Sequence, residues 1–163
     1  MNAWIVAGAG LCYGKMEFRM KRYAYIIAAM LVVVCSNMAM AERLVVAVDV
    51  ANIRSGPGTT FDIIWKVGKY HPLNITDKSG PWYHFRDFEG DQGWIHKSLI
   101  REIPSIITNQ EECNIRSGPG TSFKTLFTVE KGIPFRVLNQ KGNWIHIEHS
   151  DGDQGWIHKS LVW

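Results

Sequence analysis

One eight-residue segment occurs twice in this chain, and this repetition constrains the fold more than any other feature. Residues 52–59 and 114–121 both read Asn-Ile-Arg-Ser-Gly-Pro-Gly-Thr, 62 positions apart. At the same offset, residues 90–99 recur as residues 152–161. An ungapped superposition of residues 44–100 on residues 106–162 gives 25 identical positions out of 57. The chain therefore carries two copies of one folding unit, each close to the smallest size that folds on its own core without metal or disulfides.

The repeat sets the expected domain boundaries. We expect a leader over residues 1–41, a first domain over 42–100, a short linker over 101–105 and a second domain over 106–163. Pro104 is expected to stiffen the linker, so that the two domains keep a fixed relation.

The leader has the composition of a secretory signal peptide. Lys21 and Arg22 precede an apolar run over residues 23–34, and Ala39-Met40-Ala41 follows as a small-x-small exit. The run is shorter than the ~20 apolar residues that a membrane span needs. We expect cleavage after Ala41 and no stable membrane span afterwards. Because residues before Met20 are unusual for such a signal, Met16 or Met20 is the expected start.

The net charge of +3 does not indicate a nucleic-acid partner. The first 41 residues carry four basic residues and one acidic residue, whereas residues 42–163 carry 14 of each sign. The repeats are formally neutral and lack the basic field that phosphate binding requires. We therefore exclude nucleic acid as the partner.

Each repeat is expected to be all-β. Short apolar segments, for example residues 44–50, 63–67, 82–86, 93–96 and 144–148, are separated by Gly- and Pro-containing turns. This spacing predicts a small β-barrel or sandwich in each repeat, closed by a 3₁₀ turn such as residues 97–99. Nothing in the repeats shows a sustained helical period.

The motifs resemble those of a known family. Asn-Ile-Arg-Ser-Gly-Pro-Gly-Thr, a later Pro-Trp or Asn-Trp strand, and a terminal Gly-Trp-Ile-x-x-Ser-Leu are similar to the bacterial SH3-like (SH3b) domain. The stretch from Trp82 to Leu99 resembles the exported tandem SH3 proteins of proteobacteria. The resemblance covers both repeats and implies an all-β fold of two tandem small SH3-like β-barrels. It implies a module that binds cell-wall peptides or targets wall hydrolases to their substrate.

Alternation along the strands predicts an outer patch of aromatic and histidine side chains in each repeat. In strand 82–86 and in strand 93–96, period two places every second side chain on one face. Flat aromatic rings can stack on a sugar or a peptide, and His supplies hydrogen-bond donors. The alternative is that Trp94 and Trp156 act mainly as lids over the core. The predicted ligand-binding residues are Trp82, His84, Trp94, His96, Trp144, His146, Trp156 and His158.

Arg54 and Arg116 open the two Gly-Pro-Gly turns. Each guanidinium can brace its loop through carbonyl groups or a nearby aspartate, or it can bind a ligand carboxylate in a bidentate manner. Both remain candidate ligand-binding residues.

We expect no catalytic residues, no metal site and no cofactor. His84 and His96, on adjacent strands, give only two ligands per repeat, as do His146 and His158, and zinc takes three or four. Cys113 stands where the first repeat has Ala51, so we expect a small buried strand residue, with an intermolecular disulfide or a nucleophile as alternatives.

The sequence therefore predicts an exported, non-enzymatic binding protein of the periplasm or cell envelope. Its expected ligand is peptidoglycan or a peptidoglycan peptide. The alternative is a protein–protein adaptor that docks on an envelope enzyme or transporter.

Overall fold

The computed structural model describes residues 42–163, which form two antiparallel sheets. The expected signal peptide, its cleavage after Ala41 and the alternative starts at Met16 and Met20 lie outside the described residues. Within residues 42–163 no helix has the length and apolarity that crossing a membrane requires.

The first repeat folds into a seven-stranded sheet. Its order is β3-β2-β6-β5-β4-β1-β7. The strands are β1 (Glu42–Val46), β2 (Val50–Arg54), β3 (Ile63–Gly68), β4 (Pro72–Ser79), β5 (Trp82–Arg86), β6 (Gln92–His96) and β7 (Ile100–Arg101).

The second repeat folds into a six-stranded sheet in the order β10-β9-β13-β12-β11-β8. The strands are β8 (Ser105–Ile107), β9 (Cys113–Arg116), β10 (Thr125–Val129), β11 (Pro134–Lys141), β12 (Trp144–Glu148) and β13 (Gln154–His158). Single-turn 3₁₀ helices follow β6 and β13, at Lys97–Leu99 and Lys159–Leu161.

The all-β prediction is confirmed, but the prediction of closed barrels is wrong. Within residues 42–163, the strands at the two ends of each sheet order, β3 and β7 or β10 and β8, do not pair with each other. Each sheet instead carries two bulges, at Ile64 in β3 and Thr76 in β4 of the first sheet and at Leu126 in β10 and Leu138 in β11 of the second. Bulges increase the local twist of a strand. The sheets therefore wrap around their cores and remain open.

Alternating apolar residues form a separate core in each repeat. In the first core, Ile53, Leu73, Phe85 and Ile95 are fully buried. In the second, Ile115, Ile147 and Ile157 are fully buried and Phe135 nearly so. Burial of these side chains supplies the main stabilisation of modules this small.

The two repeats also contact each other. The Arg43 guanidinium lies 4.2 Å from the centre of the Trp163 ring and donates a 3.1 Å hydrogen bond to the Trp163 carbonyl. Phe88 contacts the same indole, with ring centres 6.4 Å apart. The Lys131 ammonium lies 2.8 Å from the Glu89 carboxylate. Cation–π, aromatic and ionic contacts therefore join β1 and the β5–β6 loop of the first repeat to the second repeat.

Candidate functional site

The predicted outer patch exists in both repeats as a set of cross-strand pairs. In the first repeat β5 and β6 form the expected hairpin, with Trp82 opposite His96 and His84 opposite Trp94. Arg54 of β2 lies opposite Trp94 on its other side. Directly opposed residues share one face of a sheet. We call this set, Arg54, Trp82, His84, Trp94 and His96, the first aromatic–histidine face.

The second aromatic–histidine face has the same construction. Trp144 lies opposite His158, His146 lies opposite Trp156, and Trp156 also lies opposite Arg116. All ten side chains of the two faces are partly exposed, so each face can be reached from solvent.

The Trp–His pairs differ between the repeats in one respect. In both, the outer pair meets edge to face, with ring centres 5.2 Å apart. The inner pair is tilted by 55° in the first repeat, between His84 and Trp94, but is stacked at 19° in the second, between His146 and Trp156. A 2.7 Å hydrogen bond joins His84 Nδ1 to the Thr76 hydroxyl, whereas the corresponding bulge residue of the second repeat is Leu138. The bulge residue thus accompanies a different orientation of the histidine.

His96 and His158 also have a structural role. His96 Nδ1 accepts the backbone N–H of Ser98 at 3.3 Å and lies 2.8 Å from the Ser98 hydroxyl, and His158 does the same with Ser160. Each ring therefore caps the following 3₁₀ helix. Because Nδ1 accepts the N–H, the proton of the neutral ring lies on Nε2, which can donate to a ligand.

Arg54 and Arg116 brace their loops through backbone carbonyls. Arg54 Nη1 donates to the carbonyl oxygens of Thr59 at 3.0 Å and Phe61 at 2.7 Å. Arg116 repeats this arrangement at Thr121 and Phe123. Only Nη1 is used in each case, so the remaining guanidinium donors stay available on the face.

A glycine explains how the inner tryptophan is positioned. A Cβ added at Gly93 would overlap Ile53 Cγ2, and a Cβ at Gly155 would overlap Ile115 Cγ2. The backbone beside Trp94 and Trp156 therefore lies directly on the core. This close packing fixes the tryptophans on the opposite side of the strand.

Sequence reasoning missed a cavity in each repeat. The second-repeat cavity has a volume of about 290 Å³ and lies among β10, β11 and the β12–β13 loop, with Phe127 and Phe135 on its apolar side and His149 and Asp151 at its rim. The first-repeat cavity has a volume of about 490 Å³. Seven of the eight residues that line the former follow, by 62 positions, residues that line the latter. The differences between aligned repeat residues, such as Asp87 against His149, were the available signal.

The first-repeat cavity contains a buried histidine. His71 Nε2 has no hydrogen-bond partner among the described residues and lies 3.9 Å from Asp87 Oδ2. Burial lowers the pKa of His71, and the charges of Asp87 and Glu89 partly oppose this effect. Asp87 itself accepts three backbone N–H groups of the β5–β6 loop, which makes it a structural residue of that loop.

Cys113 is fully buried, as expected for a small strand residue. Burial raises the pKa of its thiol, although a contact with the Gln110 carbonyl acts in the opposite sense. A raised pKa disfavours the thiolate, the form that nucleophilic attack requires. Among residues 42–163, no group of three His, Cys, Asp or Glu side chains is placed to hold a metal ion.

These features define a class of protein: a pair of small open β-sheets, each with one aromatic–histidine face. The chain belongs to the bacterial SH3 domain family, whose model matches residues 47–102 and 109–163.

Two relatives are named as cell-wall enzymes. A Bacillus subtilis protein, YrvJ, named for an inferred N-acetylmuramoyl-L-alanine amidase activity, is 27% identical over 129 residues. The match covers 72% of this chain and 25% of YrvJ. LytH of Staphylococcus epidermidis, whose name gives cell wall amidase as an inferred activity, is 33% identical over 61 residues. That match covers 37% of this chain and 21% of LytH. The chain thus spans only about a quarter or less of the length of either relative.

Solved structures show weaker likenesses. NlpC2 from Trichomonas vaginalis is 14% identical with a TM-score of 0.34, over 77% of this chain and 49% of that one. An NlpC/P60 family protein from Bacillus cereus is 12% identical with a TM-score of 0.37, over 75% of this chain and 56% of that one. At these scores the likeness adds nothing to the family assignment.

Proposed function

We propose that this chain is an exported, non-enzymatic binding protein of the cell envelope, and that it recognises peptidoglycan or a peptidoglycan peptide through its two aromatic–histidine faces. The observation that carries the proposal is the same Arg–Trp–His row on both repeats, Arg54–Trp94–His84 and Arg116–Trp156–His146. Membership of the bacterial SH3 domain family supports it, as do relatives named as cell-wall amidases.

The chemistry of the faces suits such a ligand. Indole rings offer flat apolar area that can stack on a sugar ring or a peptide backbone. Beside them, the Nε2–H groups of His96 and His158 and the spare guanidinium donors of Arg54 and Arg116 can donate to carbonyl, hydroxyl or carboxylate oxygens. None of the ten side chains is acidic, so anionic groups of a ligand are not repelled at the face itself.

Duplication of the face favours a polymeric ligand. When two weak sites are held on one body, the second binding event has a high effective concentration, which raises overall affinity without new contacts. Peptidoglycan presents the same unit many times within one polymer. A bivalent protein therefore gains more from this ligand than from a single soluble peptide.

The test is co-sedimentation of the purified protein with isolated peptidoglycan sacculi at low and high salt. We expect pelleting that persists in salt, because stacking is not screened as ionic attraction is. A double variant, Trp82→Ala with Trp144→Ala, should stay in the supernatant. The matched control, Val50→Ala with Leu126→Ala, removes exposed apolar area from each repeat outside the faces and should pellet like the parent.

Circular dichroism of each variant is the check that its sheet content is kept. If the parent protein stays in the supernatant at both salt concentrations, the proposal is wrong. Equal pelleting of the double Trp variant and the parent also contradicts it, since binding would then use another surface. A parent protein that ignores sacculi but crosslinks to one envelope protein in cells would indicate the adaptor function instead.

A further inference from the structure

The cavity of the second repeat carries an inference of its own. None of its eight lining residues belongs to an aromatic–histidine face, so it is a separate feature of the surface. We propose that this cavity binds the alkylammonium group of a peptide, such as a lysine-like side chain. The proposal does not depend on peptidoglycan being the ligand of the faces.

The first observation is the composition of the cavity. One side is apolar and consists of Phe127, Val129, Ile133 and Phe135. The rim carries the carboxylates of Glu130, Asp151 and Asp153 together with His149, and no Lys or Arg is among the described residues that line it. Apolar walls with a few convergent polar groups are the usual composition of a ligand site. A ligand group with an alkyl chain and a positively charged end would match the apolar wall and the carboxylates respectively.

The second observation is independent and comes from the first repeat. There Glu89, which lines the equivalent cavity together with Lys66, already pairs with an ammonium group: Lys131, which the second repeat contributes, lies 2.8 Å from the Glu89 carboxylate. The same ammonium lies 5.9 Å from the centre of the Phe88 ring. Glu89 precedes Asp151 by 62 positions, so Asp151 is its counterpart in the second repeat. In the first repeat, the position equivalent to Asp151 thus carries a carboxylate that is paired with an ammonium group.

The Asp151 carboxylate has one oxygen free to accept from an ammonium group. Its Oδ1 accepts the Asp153 backbone N–H at 3.1 Å and lies 2.8 Å from His149 Nδ1. Both contacts are made by Oδ1, which leaves Oδ2 available. The Asp153 N–H, followed by His149, lowers the pKa of Asp151, so the carboxylate stays ionised in neutral and mildly acidic solution. His149 is itself held against Phe135, with ring centres 5.5 Å apart.

The volume limits the ligand. At about 290 Å³ the cavity lies at the lower end of the ~300–1,000 Å³ range of small-molecule sites. It therefore suits one extended side chain and its amine. We accordingly expect the chemical class to be a peptide with a primary amine at the end of an alkyl chain.

The experiment is a titration of the ¹⁵N-labelled protein, followed by amide chemical shifts. The probe is Nα-acetyl-lysine methylamide, and the comparison probe is Nα-acetyl-norleucine methylamide, which keeps the carbon chain and lacks the amine. We expect saturable shifts at Phe127, Val129 and Ile133 with the lysine probe and at least tenfold weaker binding of the norleucine probe. Equal binding of the two probes would overturn the proposal.

Two variants sharpen the result. Asp151→Asn keeps the hydrogen-bond geometry but removes the charge, and it should weaken the lysine probe by about two- to fivefold, because an exposed ion pair is partly screened by solvent. Asp62→Asn removes the same charge from an exposed position in the first repeat and should leave binding unchanged. If Asp151→Asn binds as the parent does, the assignment of this carboxylate is wrong.

A third variant tests the comparison between the repeats. Lys131→Ala removes the resident ammonium from Glu89, and a second set of saturable shifts should then appear at Val67 and His71 of the first repeat. No shift in the first repeat would overturn the view that Lys131 stands in for the ligand. None of these outcomes depends on sacculus binding, so the failure of one proposal is distinguishable from the failure of the other.

Discussion

Thr108 offers the sharpest test of the energetics. This fully buried residue uses its hydroxyl twice: Oγ1 donates to the Glu130 carbonyl at 2.7 Å and accepts the Ile133 backbone N–H at 2.9 Å. Glu130 and Ile133 both line the second-repeat cavity. In the first repeat the same position is Val46, and the His71 N–H instead donates to the Gly68 carbonyl at 3.4 Å. Thr108→Val therefore places the residue of one repeat in the other without changing the packing volume.

The magnitude follows from the two lost bonds. Val leaves no cavity, so the main cost is the loss of the 2.9 Å acceptor of the Ile133 N–H. That N–H keeps at best a long contact to the Glu130 carbonyl, like the 3.4 Å contact between His71 and Gly68 in the first repeat, and a buried N–H without a good acceptor costs about 1–3 kcal/mol. Because the Glu130 carbonyl can accept this contact, its loss of the Thr108 hydroxyl adds only about 0.5 kcal/mol. We expect a total of about 2 kcal/mol. A module of this size has a stability of only about 3–8 kcal/mol.

The assay is urea unfolding followed separately for each repeat by amide NMR signals. With a urea slope of about 1 kcal/mol/M, the midpoint of the second repeat should fall by about 2 M. The control is Thr128→Val, which removes an exposed hydroxyl that lies 3.3 Å from Asn114 Oδ1 and should cost less than about 0.5 kcal/mol. If Thr108→Val and Thr128→Val lower the midpoint equally, the buried hydroxyl contributes nothing specific and the reasoning is refuted.

Two further predictions concern the first repeat. Because burial holds the pKa of His71 in the folded protein below its ordinary 6.5, the unfolded chain protonates this histidine at a higher pH than the folded chain does. Stability therefore falls as the pH drops from about 7 through 6.5 towards the lower pKa of the folded state. His71→Ile, which copies Ile133, should flatten this dependence in urea titrations at a series of pH values; an unchanged slope would contradict the assignment. Gly93→Ala should lower the free energy of unfolding by about 1–3 kcal/mol, because the added Cβ would overlap Ile53. The control is Gly80→Ala, whose added Cβ would meet nothing within 4 Å, so that it measures only the cost of a positive φ.

The sequence was sufficient for the local structure. Alternation predicted β5 and β12 with their observed bounds, Trp82–Arg86 and Trp144–Glu148, and the 3₁₀ turn after His96 is confirmed. These features depend on neighbours in sequence, and two copies of each motif made the signal twice as strong. The pairing of β5 with β6 as a hairpin followed from the short turn that joins them, whereas the register that places Trp82 opposite His96 did not.

Features that depend on tertiary packing were not predictable in the same way. The apolar run over residues 44–50 suggested one strand, but β1 ends at Val46 and β2 begins at Val50, because the Val46 and Ala47 N–H groups bond to the His71 and Leu99 carbonyls instead. The openness of the sheets could not be predicted either, since the bulges and loop contacts that shape them have no short sequence pattern.

The candidate site likewise has one part that the sequence predicted and one part that it did not. The aromatic–histidine faces follow from period two and could be named residue by residue. The cavity could not, because it combines residues of β10, β11 and the β12–β13 loop that lie as much as 26 positions apart, from Phe127 to Asp153. The contact of Lys131 with Glu89 was equally hidden, since it joins the two repeats.

The contact between the repeats has a consequence for assembly. It is heterologous: the β5–β6 loop of the first repeat meets the β10–β11 loop of the second, and contacts of this type can continue head to tail into open fibres. The next step of such a fibre keeps only the charged part of this contact. Lys69 and Asp151 stand at the positions of Lys131 and Glu89, but Ser150 replaces Phe88 and Tyr70 replaces Gly132, which lies close to the Phe88 ring. The aromatic part of the contact is therefore available once within each molecule.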